Sequence, residues 1–217
     1  MTLKNIGNYL FGGYTRNDGR ATDYLAPGSQ DWISGPKLPV GMANGPCSVV
    51  ISETSFLVIH GRDIREYQVD IENPTSNDGW QEATKWPQPK TSRYQFGCAK
   101  IAKKVVIAGG WPGYPGSTTH RSTEIVDIER RTIQYAGDLN TARRLFHTLS
   151  ITTGGSEKIF ALGGRDGSSY LDSIEELDPD KLTWNTTRTK LAEKRDSFAA
   201  VALPRSLVCQ AWGGLEQ

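Results

Sequence analysis

Short apolar runs that end in glycine recur at wide intervals along the chain. They read Tyr9-Leu10-Phe11-Gly12-Gly13, Phe56-Leu57-Val58-Ile59-His60-Gly61, Val105-Val106-Ile107-Ala108-Gly109-Gly110, Ile159-Phe160-Ala161-Leu162-Gly163-Gly164 and Ala211-Trp212-Gly213-Gly214. Their last glycines lie 48, 49, 54 and 50 residues apart, which sets a repeat of about fifty residues. Turn-forming residues separate each run from the next, so the runs predict short strands. No long segment rich in Ala, Leu and Glu interrupts them with a helix.

Two further markers keep a tighter register. Arg93, Arg144 and Arg195 are 51 residues apart, each before an apolar stretch, at 94–101, 145–151 and 197–203. The same step places Cys47, Cys98, Leu149 and Ala200 in one slot, and four uncharged residues there predict a core position. An Asp followed six residues later by a large apolar residue gives Asp127 with Ile133 and Asp178 with Trp184, again 51 apart. Tyr24 with Trp32 takes these parts in the first unit, and Tyr67 with Trp80 in the second, across an insertion at 72–79.

Each unit therefore reads as four short strands, a to d. The third unit is expected at about 94–101, 104–110, 122–128 and 131–137, and the fourth at 145–151, 157–163, 173–178 and 182–187. The second is expected at about 47–52, 56–60, 64–71 and 80–85. The first opens at strand b near Asn8 and lacks strand a, whereas the end of the chain supplies strand a from Ser197 and strand b from Leu207. The whole chain, 1–217, is one domain: an incomplete unit 1–40, units 41–89, 90–140 and 141–191, and a partial unit 192–217.

A four-stranded antiparallel sheet of this size cannot bury both faces alone, so it must stack on copies of itself, and radial stacking leaves only short edges open. Inner strands touched on both faces should be apolar throughout, as 105–108 and 159–162 are, and the outermost may be wet, as 183–188 is. Glycine pairs suit the place where backbones of adjacent sheets approach closely, and the Trp184 indole should fill the widening wedge between sheets.

Gly-Gly after an apolar strand, then a Tyr, then a Trp about seven residues on, resembles the kelch repeat, from about Asn8 to Gly214. The resemblance implies an all-β fold, a kelch-type β-propeller of four-stranded antiparallel blades, about four blades plus an incomplete one. The sequence departs from the family pattern at His60, which stands in a glycine slot, at Val126 and Leu177 in the tyrosine slot, and at Ile133 in the tryptophan slot. Kelch propellers resemble closed rings of six or seven blades. A four-bladed ring closed by 197–203, a piece of a larger propeller, and a ring completed by another copy all stay open.

A chain of 217 residues buries roughly two thirds of its unfolded surface, so the core needs no staples. The 25 basic and 24 acidic residues alternate and sum to +1, which gives no sign of a nucleic-acid or membrane partner. Six Trp and eight Tyr suit many short strands joined by tight turns. Cys47, Cys98 and Cys209 are an odd set without a Cys-x-x-Cys pair, so they cannot all pair within the chain, and a reducing compartment is the simpler expectation. Residues 1–11 carry one lysine and no apolar core of seven, unlike a secretory leader, so a cytoplasmic location is expected. Asn185-Thr186-Thr187 matches the glycosylation triplet, a pattern short enough to arise by chance.

Strand direction gathers the b-to-c loops and d-to-a turns on one face. That face should hold Arg62, Trp111, Tyr114, Arg121, Arg165 and Tyr170 from the loops, and Arg93, Arg144 and Arg195 from the turns. In kelch adaptors the same loops form a partner-binding rim whose arginines often hold acidic peptides, so the resemblance implies a binding module or scaffold for a protein or peptide of acidic or phosphorylated character. The arginines could instead reach over the sheet edge to a carbonyl or an Asp, and Trp111 and Tyr114 could pack down on their own blade. Asp63, Asp166 and Asp172 are expected as turn formers or salt partners, and Glu53, Glu157 and Glu193 as solvated turn residues.

The repeat markers Gly12, Gly13, Gly61, Gly109, Gly110, Gly163, Gly164, Gly213, Gly214, Trp32, Trp80 and Trp184 are assigned to structure. His60, His120 and His147 show no ligand spacing, and no nucleophile elbow or phosphate loop occurs, so no catalytic residue, metal or cofactor is expected. Some kelch relatives are copper oxidases of sugars or sugar-acid epimerases, but the Tyr, His and Tyr-Cys crosslink of the oxidases cannot be assembled here. A self-assembling partial propeller is the alternative to the adaptor.

Overall fold

Apolar runs of five or six residues, bounded by glycine and polar turns, have no room for a helix and pair with the next run instead. The computed structural model describes residues 8–11, 20–35, 37–38, 41, 45–68, 73 and 86–202. Four antiparallel sheets follow one another along the chain. Unit one pairs β1 (Asn8–Phe11), β2 (Thr22–Leu25) and β3 (Trp32–Ser34). Unit two pairs β4 (Cys47–Val50), β5 (Ser55–His60) and β6 (Asp63–Gln68).

Unit three has four strands, β7 (Gly97–Ile101), β8 (Lys104–Ala108), β9 (Thr123–Asp127) and β10 (Thr132–Ala136). Unit four has β11 (His147–Thr153), β12 (Ser156–Leu162), β13 (Ser173–Asp178) and β14 (Thr183–Lys190). Each strand pairs with its neighbour in sequence, so each sheet is a meander. The result is an all-β, incomplete propeller of kelch-like blades. No strand forms over 197–202, where a first strand of a fifth unit was expected. The expected fourth strand of unit two, the strand from Leu207, and the markers Gly12, Gly13, Trp80, Gly213 and Gly214 lie outside the described residues.

The core lies between sheets, and alternation along β8 shows why. Val105 and Ile107 point into one cluster with Leu57, Ile59 and Phe96, whereas Val106 and Ala108 point into another with Phe146, Ile159, Leu177 and Trp184. Val105 to Ala108 are each at most 1% exposed, so this part of the strand is buried on both faces by sister sheets. The tyrosine slot keeps one register throughout units two to four: Tyr67, Val126 and Leu177 pair with Phe56, Val105 and Ile159. All three are buried.

The tryptophan slot depends on a preceding sheet. Trp184 of unit four is 5% exposed and its indole N–H donates to Thr123 Oγ1 of unit three at 2.9 Å. Trp32 of unit one is 45% exposed, because no described sheet precedes it.

Backbone pairing corrects the register of the first strands. Cys47 pairs with Ile59, two residues before Gly61, but Cys98 pairs with Ile107, three before Gly110, and Leu149 with Phe160, four before Gly164. The equivalent residues are Cys47, Gly97 and His147, each opposite the residue two before the glycine. These residues are 50 apart at both steps, so a step of 51 slips by one residue per unit. Cys47 and Cys98 nonetheless lie side by side, joined by a disulfide with Cα atoms 6.1 Å apart.

Gly164 has φ +91°, and a Cβ there would sit 2.6 Å from Phe146 Cβ and 2.7 Å from the Arg144 carbonyl oxygen of the d-to-a turn. Both the left-handed backbone and the backbone contact oppose any side chain. Gly164→Ala is expected to cost about 2 kcal/mol or more in urea unfolding. Gly154, at φ +59° with nothing near its would-be Cβ, should lose only the backbone part when changed to Ala.

Candidate functional site

The d-to-a turns and b-to-c loops meet at one end of the sheets, and two kinds of arginine occupy that end. The first kind is buried. Arg93 Nη1 donates to the carbonyl oxygens of Gly109 (2.7 Å) and Ser122 (2.9 Å), and its Nη2 donates to Glu124 at 2.8 Å. Glu124 also accepts the backbone N–H groups of Lys90 and Thr91, at 2.7 and 3.0 Å. Arg143 repeats the pattern in unit four, with Gly163 at 2.7 Å, Ser173 at 3.2 Å and Glu175 at 2.6 Å. Glu175 accepts from the Asn140 and Thr141 N–H groups at 2.6 and 3.0 Å.

All four side chains of these two pairs are fully buried. Burial pushes both guanidinium pKa values down from their ordinary value, and the facing glutamates oppose the shift. The carboxylate ties the turn that starts strand a to strand c, and the arginine ties it to the end of strand b. Arg93, offered above as a partner contact, is therefore an internal clamp that reaches over the sheet edge.

The slot itself is Arg93, Arg143 and Arg195, not Arg93, Arg144 and Arg195. The N–H of Gly110 donates to the Arg143 carbonyl and that of Gly164 to the Arg195 carbonyl, both at 2.8 Å. Gln95, Leu145 and Ser197, each two residues on, share φ values of 56°, 54° and 53°. The missed signal was Arg-x-x-Phe, in Arg93 to Phe96, Arg143 to Phe146 and Arg195 to Phe198, together with Ser-x-Glu at Ser122 and Ser173.

The second kind of arginine forms a rim. Tyr94 and Trp111 exchange backbone hydrogen bonds at 2.7 and 2.9 Å, and Arg144 and Arg165 do so at 2.9 Å in both directions. The Arg144 guanidinium lies 5.3 Å from the Trp111 ring centre, which links units three and four, and that of Arg165 lies 5.4 Å from Tyr170. Tyr114 and Tyr170 are 61% and 52% exposed. The structure thus joins Trp111, Arg144, Arg165 and Tyr170 into one strip and adds Tyr94, which the sequence had not singled out.

Three other arginines are held separately. Arg62 donates to the Pro89 carbonyl at 3.0 Å, Arg121 faces Asp138 at 3.7 Å, and Arg195 faces Glu193 at 3.2 Å. Asp63 pairs with Arg65 at 2.6 Å, Asp172 faces Lys190 at 3.8 Å, and Asp166 accepts the N–H groups of Ser168 and Ser169. Glu157 is not a free turn residue, since it accepts the Ala102 N–H at 2.8 Å and ties unit four to unit three.

Burial pushes the imidazoles of His120 and His147 below their ordinary pKa of 6.5. At His120 the Arg93 charge adds to burial, against a hydrogen bond to the Ser92 backbone. At pH values well above 6.5 both states of the protein hold these groups neutral. As pH falls below that, the unfolded chain takes up protons before the folded one, so stability is lost down to the folded pKa values. The urea midpoint is expected to be lower at pH 5.5 than at pH 7.5, and His147→Asn should flatten the change.

Among the described residues no group of three His, Cys, Asp or Glu side chains could hold a metal ion, and no helix is long and apolar enough to cross a membrane. On the opposite face a cleft of about 360 Å³ opens between units three and four, where Lys103, Arg130 and Asp180 surround Ile101, Ile125 and Leu177.

A family model described as the Kelch motif matches residues 154–189, from the turn after β11 through β12 and β13 and most of β14. The chain is also similar to Kelch-like protein 33 of Homo sapiens, 27% identical over 176 residues. That match covers 74% of the chain and 32% of the human protein, so the chain spans about a third of its relative's length.

Proposed function

We propose that this chain is a kelch-repeat domain that acts as a protein-interaction module and grips a partner protein or peptide through the strip of Tyr94, Trp111, Arg144, Arg165 and Tyr170. Kelch-fold domains generally act as protein–protein interaction modules, and their members are typically not catalytic. The observation that carries the rim is the pair of arginines laid over aromatic rings on loops that rigid sheets hold in place. Arg144 is half-buried and its Nε has no hydrogen-bond partner, so an internal carboxylate does not hold this nitrogen, and the charge of the guanidinium suits a ligand carboxylate or phosphate. An acidic or phosphorylated segment flanked by an apolar side chain suits this surface best.

Crosslinking tests the rim directly. A photo-reactive side chain at Tyr114 or Tyr170 should capture a partner that the same group at Lys103, on the opposite face, does not. Arg144→Ala and Trp111→Ala should each weaken capture about tenfold or more while shifting the melting temperature by only a degree or two. Equal capture from both faces would overturn the assignment.

One observation supports the alternative of self-assembly. Leu149, Ile151, Phe160 and Leu162 of unit four are half-buried, although Ala99, Ile101, Val106 and Ala108, their equivalents in unit three, are buried against unit four. A second copy seated on that face would make the molecular mass from light scattering rise with concentration. A constant monomer mass would remove this alternative.

A further inference from the structure

We propose that Cys47 and Cys98 are a redox-responsive staple between units two and three. Cys47 opens β4 and Cys98 lies in β7, so their bond joins the first strands of two neighbouring sheets. Backbone pairing holds each strand to its own sheet, and the interface between them also has packing of Val49, Leu57 and Ile59 against Phe96, Val105 and Ile107, the Arg93 N–H donating to the Gly61 carbonyl at 3.2 Å, and the Arg131–Glu66 ion pair at 3.3 Å. The Cα separation of 6.1 Å suits a disulfide without movement of either strand. Cys98 is 8% exposed and Cys47 half-buried, so Cys47 is the sulfur that an incoming reagent reaches.

The Cys47 sulfur lies 3.6 Å from the Cys98 carbonyl oxygen, so a Cys47 thiol that keeps this position after reduction would find an acceptor there. That carbonyl also accepts the Thr148 hydroxyl of unit four at 2.7 Å, so Cys98 stays anchored whichever state its sulfur is in. A cytoplasmic chain would hold the pair as two thiols at rest. Oxidation by a low-molecular-weight disulfide such as oxidised glutathione proceeds in two exchanges. The Cys47 thiolate attacks one glutathione sulfur and releases the first glutathione thiol. The Cys98 thiolate then attacks Cys47 and releases the second. One disulfide forms in the chain, one is broken in the oxidant, and the two cysteine protons end on two glutathione thiols.

The consequence is a change in how firmly unit two is held to unit three. Gly45, two residues before Cys47, lies against the Gln95 backbone beside Tyr94, so the staple sits under the unit-two end of the arginine–aromatic strip. The staple itself does not rest on the role of that strip, and its test reads no binding.

The full 217-residue chain is equilibrated in glutathione buffers of graded ratio, its free thiols are trapped with iodoacetamide, and its peptides are mapped. A Cys47–Cys98 linked peptide should appear and vanish reversibly with the ratio. The oxidised chain should melt roughly 5–10 °C above the reduced one. Cys47→Ser should remove that shift, whereas Cys209→Ser should leave it. Cys47 and Cys98 both alkylated at the oxidising end, a link from either to Cys209, or a shift that survives Cys47→Ser would each overturn the proposal.

Discussion

Arg143→Ala should unfold with a loss of about 3–5 kcal/mol, while Arg144→Ala, one residue along, stays within about 0.5 kcal/mol of the unaltered chain. Arg143 and Glu175 face each other at 2.6 Å with both side chains fully buried, and removing the cation leaves a carboxylate in an apolar interior. Its remaining donors are the N–H groups of Asn140 and Thr141 and the Asn140 side chain. The Gly163 carbonyl and the Ser173 hydroxyl lose the arginine donor at the same time, and the Ser173 carbonyl is left with the Gly163 N–H.

Replacing both partners, as Arg143→Met with Glu175→Leu, should recover part of the loss, since no charge is then stranded. Recovery is incomplete because the two turn amides are orphaned, at about 1–3 kcal/mol each. Urea unfolding of the two single variants and the double variant measures the coupling. Simple additivity of the two single losses would show that the pair is no clamp.

Trp184→Ala should cost a similar amount, about 3–5 kcal/mol, through a cavity at the boundary of units three and four. The indole packs with Ile125, Leu139, Ile159 and Leu177, and its N–H donates to Thr123 Oγ1. Trp184→Phe keeps most of the apolar contact and gives up that hydrogen bond, so about 1–2 kcal/mol is expected. Trp32, 45% exposed at the equivalent place in unit one, should tolerate Ala with a much smaller loss. Thermal melts of the three variants check the order, and an equal loss at Trp32 and Trp184 would contradict burial by a preceding sheet.

The fold was legible because its signals are local and repeated. An apolar run such as Val105 to Ala108 is short enough to be a strand, lacks polar residues on either side of its alternation, and so announces burial on both faces. Tyr67, Val126 and Leu177 fell into one slot correctly although only one is tyrosine, since what the slot demands is bulk without charge. The rim was half legible. Trp111, Arg144, Arg165 and Tyr170 were named from strand direction alone, and Tyr94 was passed over because it stood next to a more conspicuous arginine.

The buried clamp was misread for a physical reason. A pair of adjacent arginines, Arg143 and Arg144, has one member pointing into the sheet and one away, and a step of 51 residues cannot choose between them. Backbone pairing chooses, because Gly110 and Gly164 donate to Arg143 and Arg195 respectively. Composition says that arginine is rarely buried; only Glu124 and Glu175, which arrive from strands β9 and β13, make it affordable in the interior.

By itself, the amino-acid order determined the repeat, the strands and the sister-sheet packing, since those follow from periodicity, turn residues and the need to cover apolar faces. Only the tertiary structure decided which arginine is a clamp and which is free, that Cys47 meets Cys98, and that Trp32 is exposed where Trp184 is buried. Each of these depends on which sheet stands beside the residue, and a side chain's neighbours across a sheet boundary leave no mark in its own local sequence.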